Sequence, residues 1–243
     1  MHKSIDTNKY GEVKRIMENI EVIFFDLFFT LVVPRYEDNE KNNEYYELCI
    51  SRGNWEEIAE DEKLYYERAT GKIKYSSDII REILNKCGIN KDESDIEIIA
   101  KKRIKRFERC LSNIENNIIK TLEYLYENNI RMCLISNSDV IDKAGWAGSP
   151  IKRYFQDAIF SCDIGILKPD KRIYEIALRK MGVEPEKAMF IGDGGSDELR
   201  GAKSLGMQTI LLTHFTKGLW PEKGLEYADI VIDKFEDIIK HII

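Results

Sequence analysis

Short apolar runs alternate with stretches of helical period along most of this chain, and that alternation predicts its architecture. Strands are expected at 21–26 (Val22-Ile23-Phe24-Phe25), 131–135 (Met132-Cys133-Leu134-Ile135), 157–160, 188–192, 208–212 and 229–232. Helical segments fit between or after them at 116–128, 170–182, 197–205 and 235–242. Strands that alternate with helices imply an α/β fold, a doubly wound parallel sheet covered by helices on both faces.

One region breaks the alternation. Residues 38–113 contain no strand pattern and read as helices separated by turn signals at Gly53-Asn54, Gly71, Ser76-Ser77 and Gly88-Ile89-Asn90. Within 96–111, Ala100, Ile104, Phe107 and Leu111 keep helical spacing. The expected organisation is a polar arm over 1–20 with a short helix near Val13–Ile20, an α/β core built from 21–35 and 114–243, and a smaller all-helical domain over 36–113. That helical domain enters directly after the first strand, at the sheet edge where open α/β folds hold their ligands.

Composition narrows the class. A chain of 243 residues accommodates one full domain and one smaller one, and its 43% hydrophobic and 33% charged content is that of a globular protein. A net charge of −6 argues against a nucleic-acid partner. No run approaches the roughly 18 apolar residues of a membrane span, and Met1–Ile20 lacks a signal-peptide core. Cys49, Cys87, Cys110, Cys133 and Cys162 are scattered, odd in number and without CxxC spacing, as free thiols of a reducing cytosol are. The expectation is a cytoplasmic monomer or homodimer acting on a small anionic molecule.

Asp26 stands at the C-terminal tip of the first strand, four residues before Thr30. Ser136-Asn137 follows the second strand, Lys168-Pro169-Asp170 lies in a turn, and Gly192-Asp193 ends the fourth strand with Asp197-Glu198 close behind. Each signal alone fits an ordinary cap or loop residue. Their order carries the weight, because strand ends of a parallel sheet converge on one edge. Several carboxylates at one point call for a divalent cation, and oxygen-only ligands favour magnesium. Lys168 and the Ser136 hydroxyl would then hold an anionic group against Asp26 for nucleophilic attack.

In these motifs the chain resembles the haloacid dehalogenase-like hydrolases. The first motif is Asp26-Leu27-Phe28-Phe29-Thr30, the second Ser136, the third Lys168 in Gly165-Ile166-Leu167-Lys168-Pro169-Asp170, and the fourth Gly192-Asp193 with Asp197 or Glu198, then Gly201-Ala202. The resemblance implies Asp26 as nucleophile, Thr30, Ser136 and Asn137 as substrate binders, and Lys168 as charge neutraliser. It also implies Mg2+ held by Asp26, the Phe28 backbone carbonyl, Asp193, and Asp197 or Glu198. The helical insertion stands where this family places a cap.

Phe28 departs from the phosphatase pattern, which has an acid–base aspartate there. General acid–base catalysis is worth about 10²–10⁴-fold. Its loss matters least for leaving groups that need no proton, such as halides or acyl and aryl phosphates. Dehalogenases of this family carry an aromatic residue at this position but work without metal, whereas this chain keeps its acidic fourth motif. Hydrolysis of a small phosphorylated metabolite is therefore the leading expectation. A carbon–halogen hydrolase, with Arg52 or Arg68 receiving the halide, and a binding or regulatory protein without turnover stand beside it. His214, Glu37 and Asp38 are the candidates to replace the missing acid. Tyr45, Tyr46, Trp55, Tyr65 and Tyr66 are expected mainly to pack the insertion. Lys101, Lys102, Arg103, Lys105, Arg106 and Arg109 are expected to form a solvated face. Gly71-Lys72 reads as a structural turn.

Overall fold

The computed structural model describes residues 20–218 and 224–242. The helix expected near 13–20 lies, apart from Ile20, outside them. Six strands form one sheet: β1 Val22–Phe25, β2 Arg131–Ser136, β3 Asp157–Phe160, β4 Ala188–Gly192, β5 Gln208–Leu212 and β6 Ile230–Ile232. Their order is β3-β2-β1-β4-β5-β6 and every pairing is parallel. The expected strands are all present, displaced by at most one residue at an end.

The strands are near-continuous apolar runs because both faces are covered. Alternate residues enter different cores. Ile23, Phe25, Met132, Leu134, Met189 and Ile191 join one cluster, whereas Val22, Phe24, Cys133, Ile135, Ala188 and Phe190 join the other. Before β2, the chain forms α1 Arg52–Ala59, α2 Glu62–Ala69, α3 Ser76–Cys87, α4 Glu93–Ser112 and α5 Asn116–Glu127. After β3 come α6 Ser161–Ile164, α7 Lys171–Met181, α8 Glu198–Lys203 and α9 Ile239–Ile242, the last preceded by a 3-10 turn at Phe235–Ile238. Helix α5 covers the first face through Ile118, Leu122 and Leu125. Helices α7 and α8 cover the second through Ile173, Tyr174, Ala177, Leu199 and Ala202. Among the described residues no helix is long and apolar enough to cross a membrane, and the five cysteines are unpaired.

The segment between β1 and β2 contains no strand, as its sequence predicts. Three of its five α-helices start where side chains satisfy free backbone N–H groups: Ser51 accepts from the Asn54 amide, Asp61 from Leu64 and Asp92 from Asp95. Its apolar residues Trp55, Leu64, Ile79, Ile83, Ile96 and Phe107 belong to the same cluster as the first face of the sheet. The insertion is therefore packed continuously onto the α/β core.

The cation run on α4 departs from expectation. Arg103 and Arg106 are buried. They lie on the helical stripe that carries Ile96, Ile99, Ala100 and Phe107, so spacing turns them inward with the apolar residues. Arg106 reaches Glu44 Oε1 through Nε (2.9 Å) and Nη2 (2.7 Å), and its Nη1 donates to the Pro34 carbonyl. Exposed Lys101 and Lys105 retain the solvated role.

The turn at Gly71 presses against the core. Its φ is +69°, and an added Cβ would lie 2.1 Å from the Cys162 carbonyl oxygen. Gly71→Ala combines a left-handed backbone with a collision against main chain, and is expected to cost at least about 2 kcal/mol. Gly53→Ala, in α1 with nothing within 4 Å, should stabilise by about 0.5–1 kcal/mol. Urea denaturation of the two variants beside the parent checks both signs.

Candidate active site

The sheet order reverses direction at β1, where β2 and β4 flank it on opposite sides. The crevice beyond the strand ends at such a point is the usual ligand site of an open α/β sheet. Asp26 follows β1 directly, and its backbone N–H donates to the Ile191 carbonyl of β4 (2.9 Å). The chain then turns tightly through Phe29, whose φ is +61°. Leu31 and Val32 both donate backbone bonds back to the Leu27 carbonyl. This turn brings Thr30 under Asp26, so that Thr30 Oγ1 donates to Asp26 Oδ2 at 3.1 Å.

Lys168 comes from the loop before α7. Asn137 clamps its backbone from both sides, donating Nδ2 to the Lys168 carbonyl (3.0 Å) and accepting the Lys168 N–H on Oδ1 (2.8 Å). The ammonium is thereby set between two carboxylates, 2.5 Å from Asp26 Oδ1 and 2.5 Å from Glu198 Oε2. Burial disfavours this charge, but Asp26 and Glu198 outweigh that and raise its pKa above the usual lysine value. Ser136 is fully buried, with its hydroxyl 2.6 Å from that of Ser138.

The loop after β4 decides which acid faces the cluster. Gly194 has φ +87°, and Ser196 and Asp197 are also left-handed, at +52° and +50°. This winding sends the Asp197 side chain outward to Arg200 (3.0 Å). Glu198, at the start of α8, turns back to Lys168 and accepts the Gly194 N–H at 3.2 Å. Gly192 is required by this arrangement, because a Cβ there would lie 1.9 Å from Glu198 Oε1. The expected acidic set thus meets through Asp26, Asp193 and Glu198, while Asp197 stands apart. One carboxylate oxygen from each of the three lies within 4.8 Å of the others, and all three are buried. Burial, Asp26 and Asp193 push Glu198 well above the ordinary carboxylate range. Three hard oxygen donors this close together, two of them paired with the ammonium, fit a divalent cation.

A cavity of about 520 Å³ opens over this cluster. Besides Asp26, Lys168, Asp193 and Glu198, it is lined by Phe28, Phe107, Tyr65 and Pro34, and by Glu60, Arg68 and Asp142. Fully buried Arg68 joins the insertion to the loop after β2. Its Nη1 donates to Asp139 (2.5 Å) and Asp142 (3.1 Å), and its Nη2 to Glu60 (2.7 Å). Burial and neighbouring Asp139 push Asp142 up to about 6. Burial opposes ionisation of Asp139 too, but Arg68 and Arg103 hold it below the ordinary range.

Several sequence candidates lie elsewhere. His214 pairs with Glu115 at 2.9 Å. Glu37 is tied to Asn42 and Arg109, and Asp38 is exposed. None of the three lines the cavity. Arg52 pairs with Glu56, and Lys72 lies over the Tyr66 ring. Trp55 and Tyr45 are buried in the insertion and Tyr46 and Tyr66 are exposed, which leaves Tyr65 as the one of the five at the cavity. Asp139, Asp142 and Glu60 were missed. The signal was available in the two aspartates three residues apart just beyond Ser136, but nothing in the sequence ties them to an arginine 71 positions away.

Fold and site together define an α/β protein with a parallel sheet whose buried acidic groups gather at the switch point. A family model described as haloacid dehalogenase-like hydrolase matches residues 20–206, and the chain belongs to that family. It is 34% identical over 99 residues to a glyceraldehyde 3-phosphate phosphatase of Methanothermobacter thermautotrophicus, spanning 40% of this chain and 43% of that protein. It is 26% identical over 158 residues to phosphoglycolate phosphatase 1 of Pseudomonas aeruginosa, spanning 63% and 56%. The matched regions thus cover little more than half of these relatives at most. In fold it is similar to an L-2-haloacid dehalogenase of Xanthobacter autotrophicus (TM-score 0.65, 16% identity, 91% of this chain and 97% of that one). It is also similar to a family enzyme of Bacteroides thetaiotaomicron solved with magnesium and inorganic phosphate (TM-score 0.61, 18% identity, 79% and 93%).

The raised pKa of Asp142 has a consequence for stability. Folding disfavours its charged form, so the penalty is absent at low pH, grows as pH rises from the ordinary aspartate value of 3.8 towards about 6, and is complete above that. Asp142→Asn keeps an acceptor for Arg68 and sheds the charge. Its melting temperature should exceed the parent's by about 2 °C or more near pH 7.5, with the gap closing towards about pH 4. Paired melting curves across that range measure it.

Proposed function

We propose that this hydrolase cleaves small phosphorylated metabolites, with Asp26 as nucleophile and Mg2+ as cofactor. The observation that carries the reading is the cluster of three buried carboxylates, two of which share the single ammonium of Lys168. The excess negative charge is costly in a buried site unless a cation offsets it. Asp26, Asp193, Glu198 and the Phe28 carbonyl would hold the ion, which would screen these carboxylates from the incoming phosphate.

The chain's own groups account for the remaining work. Thr30 fixes one oxygen of the Asp26 carboxylate and Lys168 the other. An Asp26 oxygen bonds to phosphorus as the ester oxygen leaves, giving an aspartyl phosphate that water then hydrolyses. Lys168 draws charge from the transferring group, and Asn137 keeps its backbone in position. Ser136, the last residue of β2, meets the Ser138 hydroxyl at 2.6 Å and so ties down the loop that carries Asn137. The insertion closes over the reacting atoms and limits water.

Phe28 favours a second reading, metal-independent cleavage of the carbon–halogen bond of a short haloacid. Chloride release from 2-chloropropionate in the presence of a chelator would establish it in place of the first.

Under the first reading, Asp26→Asn or a chelator should lower aryl phosphate hydrolysis at least about 10³-fold. Magnesium should raise the melting temperature of the parent but not of Asp193→Asn. Persistent turnover in chelator, or equal magnesium shifts in both proteins, would remove the reading.

Phe28→Asp, which restores a carboxyl two residues after Asp26, should raise turnover of alkyl phosphates by about 10²-fold. Initial rates on glycerol phosphate measure this, and an unchanged rate in a folded variant would refute it.

A further inference from the structure

Glu60, Tyr65, Arg68, Phe107 and Asp142 line the cavity but take no part in the hydrolytic steps above. Arg68 is the cation best placed there to receive a second anionic group on a substrate, but its guanidinium is already engaged by Asp139, Asp142 and Glu60. Beside it, buried Arg103 lies 3.9 Å from Asp142 and against the Phe107 ring. The Nε–H groups of both arginines have no protein partner, yet both are sealed from solvent and so from a ligand in the cavity. Arg106, farther along α4, is taken by Glu44 and the Pro34 carbonyl. Among the described residues two arginines thus face three carboxylates, and of these five only Arg68, Glu60 and Asp142 line the cavity, one cation against two anions.

The other walls are apolar. Phe28 and Phe107 meet edge to face with ring centroids 5.6 Å apart, and Tyr65 and Pro34 line the same space. A flat ring entering here would gain aromatic contacts. A carboxylate entering here would lose water and meet like charge.

We propose that the cavity selects phosphate monoesters of uncharged aromatic alcohols and rejects esters whose leaving group carries a second anionic group. This inference rests on the phosphatase reading above and gives it a substrate class. An Asp26 oxygen forms the bond to phosphorus while the bond from phosphorus to the phenolic oxygen breaks. The phenolate departs with that electron pair and takes its proton from solvent. Water then cleaves the aspartyl phosphate, releasing inorganic phosphate and restoring the carboxylate. Phe28 suits this substrate twice, since a phenolate leaves without an acid and the ring packs against the leaving group.

The test compares phenyl phosphate with 4-carboxyphenyl phosphate, whose leaving groups are of similar acidity, using the full chain with magnesium. The carboxylated ester should show a kcat/KM at least about tenfold lower, mostly through KM, because its carboxylate meets the like charges of Glu60 and Asp142 in the cavity. Glu60→Gln removes one charge at a side chain that is 58% exposed, and should narrow the gap by about twofold or more. Equal efficiencies, or a preference for the carboxylated ester, would overturn the inference and leave the phosphatase reading intact. A gap unmoved by Glu60→Gln would overturn its assignment to this cluster. Turnover of neither ester would remove both.

Discussion

The site depends on one ammonium held out of water between two carboxylates. Lys168 bonds Asp26 and Glu198 at equal distance, and the segments that carry these three groups are far apart in sequence. Each is fixed by a different backbone device. Asp26 is tied by its amide to β4, Lys168 is clamped by Asn137, and Glu198 is anchored over Gly192 by the Gly194 amide. A buried charge pair is a weak source of net stability but is strongly destabilising when one partner is lost. The surrounding hydrogen bonds therefore serve geometry more than folding energy.

The same logic explains the small residues near the cluster. A side chain at Gly192 would occupy the space of the Glu198 carboxylate, and one at Gly201 would collide with Tyr174 and the Pro169 carbonyl. Tyr174 in turn donates its hydroxyl to the Glu198 backbone carbonyl at 2.8 Å. Helices α7 and α8 thus approach closely enough to hold Lys168 and Glu198 together. Packing on one face of the sheet sets the spacing of charges at its edge.

The α/β core was legible because strands covered on both faces leave short apolar runs, and turn residues punctuate them. The first acidic residues were legible for a related reason, since Asp26 and Asp193 directly follow such runs. The choice between Asp197 and Glu198 was not, because it depends on the left-handed winding of Ser196 and Asp197, which these residue types do not advertise. Arg103 and Arg106 were legible in principle from their spacing with Phe107, but their charge suggested solvent. The Arg68 cluster depends on contacts between segments that no local pattern links. It gathers where the insertion meets the loop after β2, and an ion pair of that kind leaves no mark on periodicity.

Arg68 also bears on how molecules get in and out. Its guanidinium is shared by Glu60 of the insertion and two aspartates of the core, while the apolar cluster runs unbroken from Trp55 to Phe25. Swinging the helices away as a rigid leaf would strip ionic partners and expose oily surface in the same stroke. Traffic is better served by small rearrangements at the rim, where Glu60 and Ser196 are already wet. Such a doorway would set an upper size for what passes through it, independent of the chemistry inside.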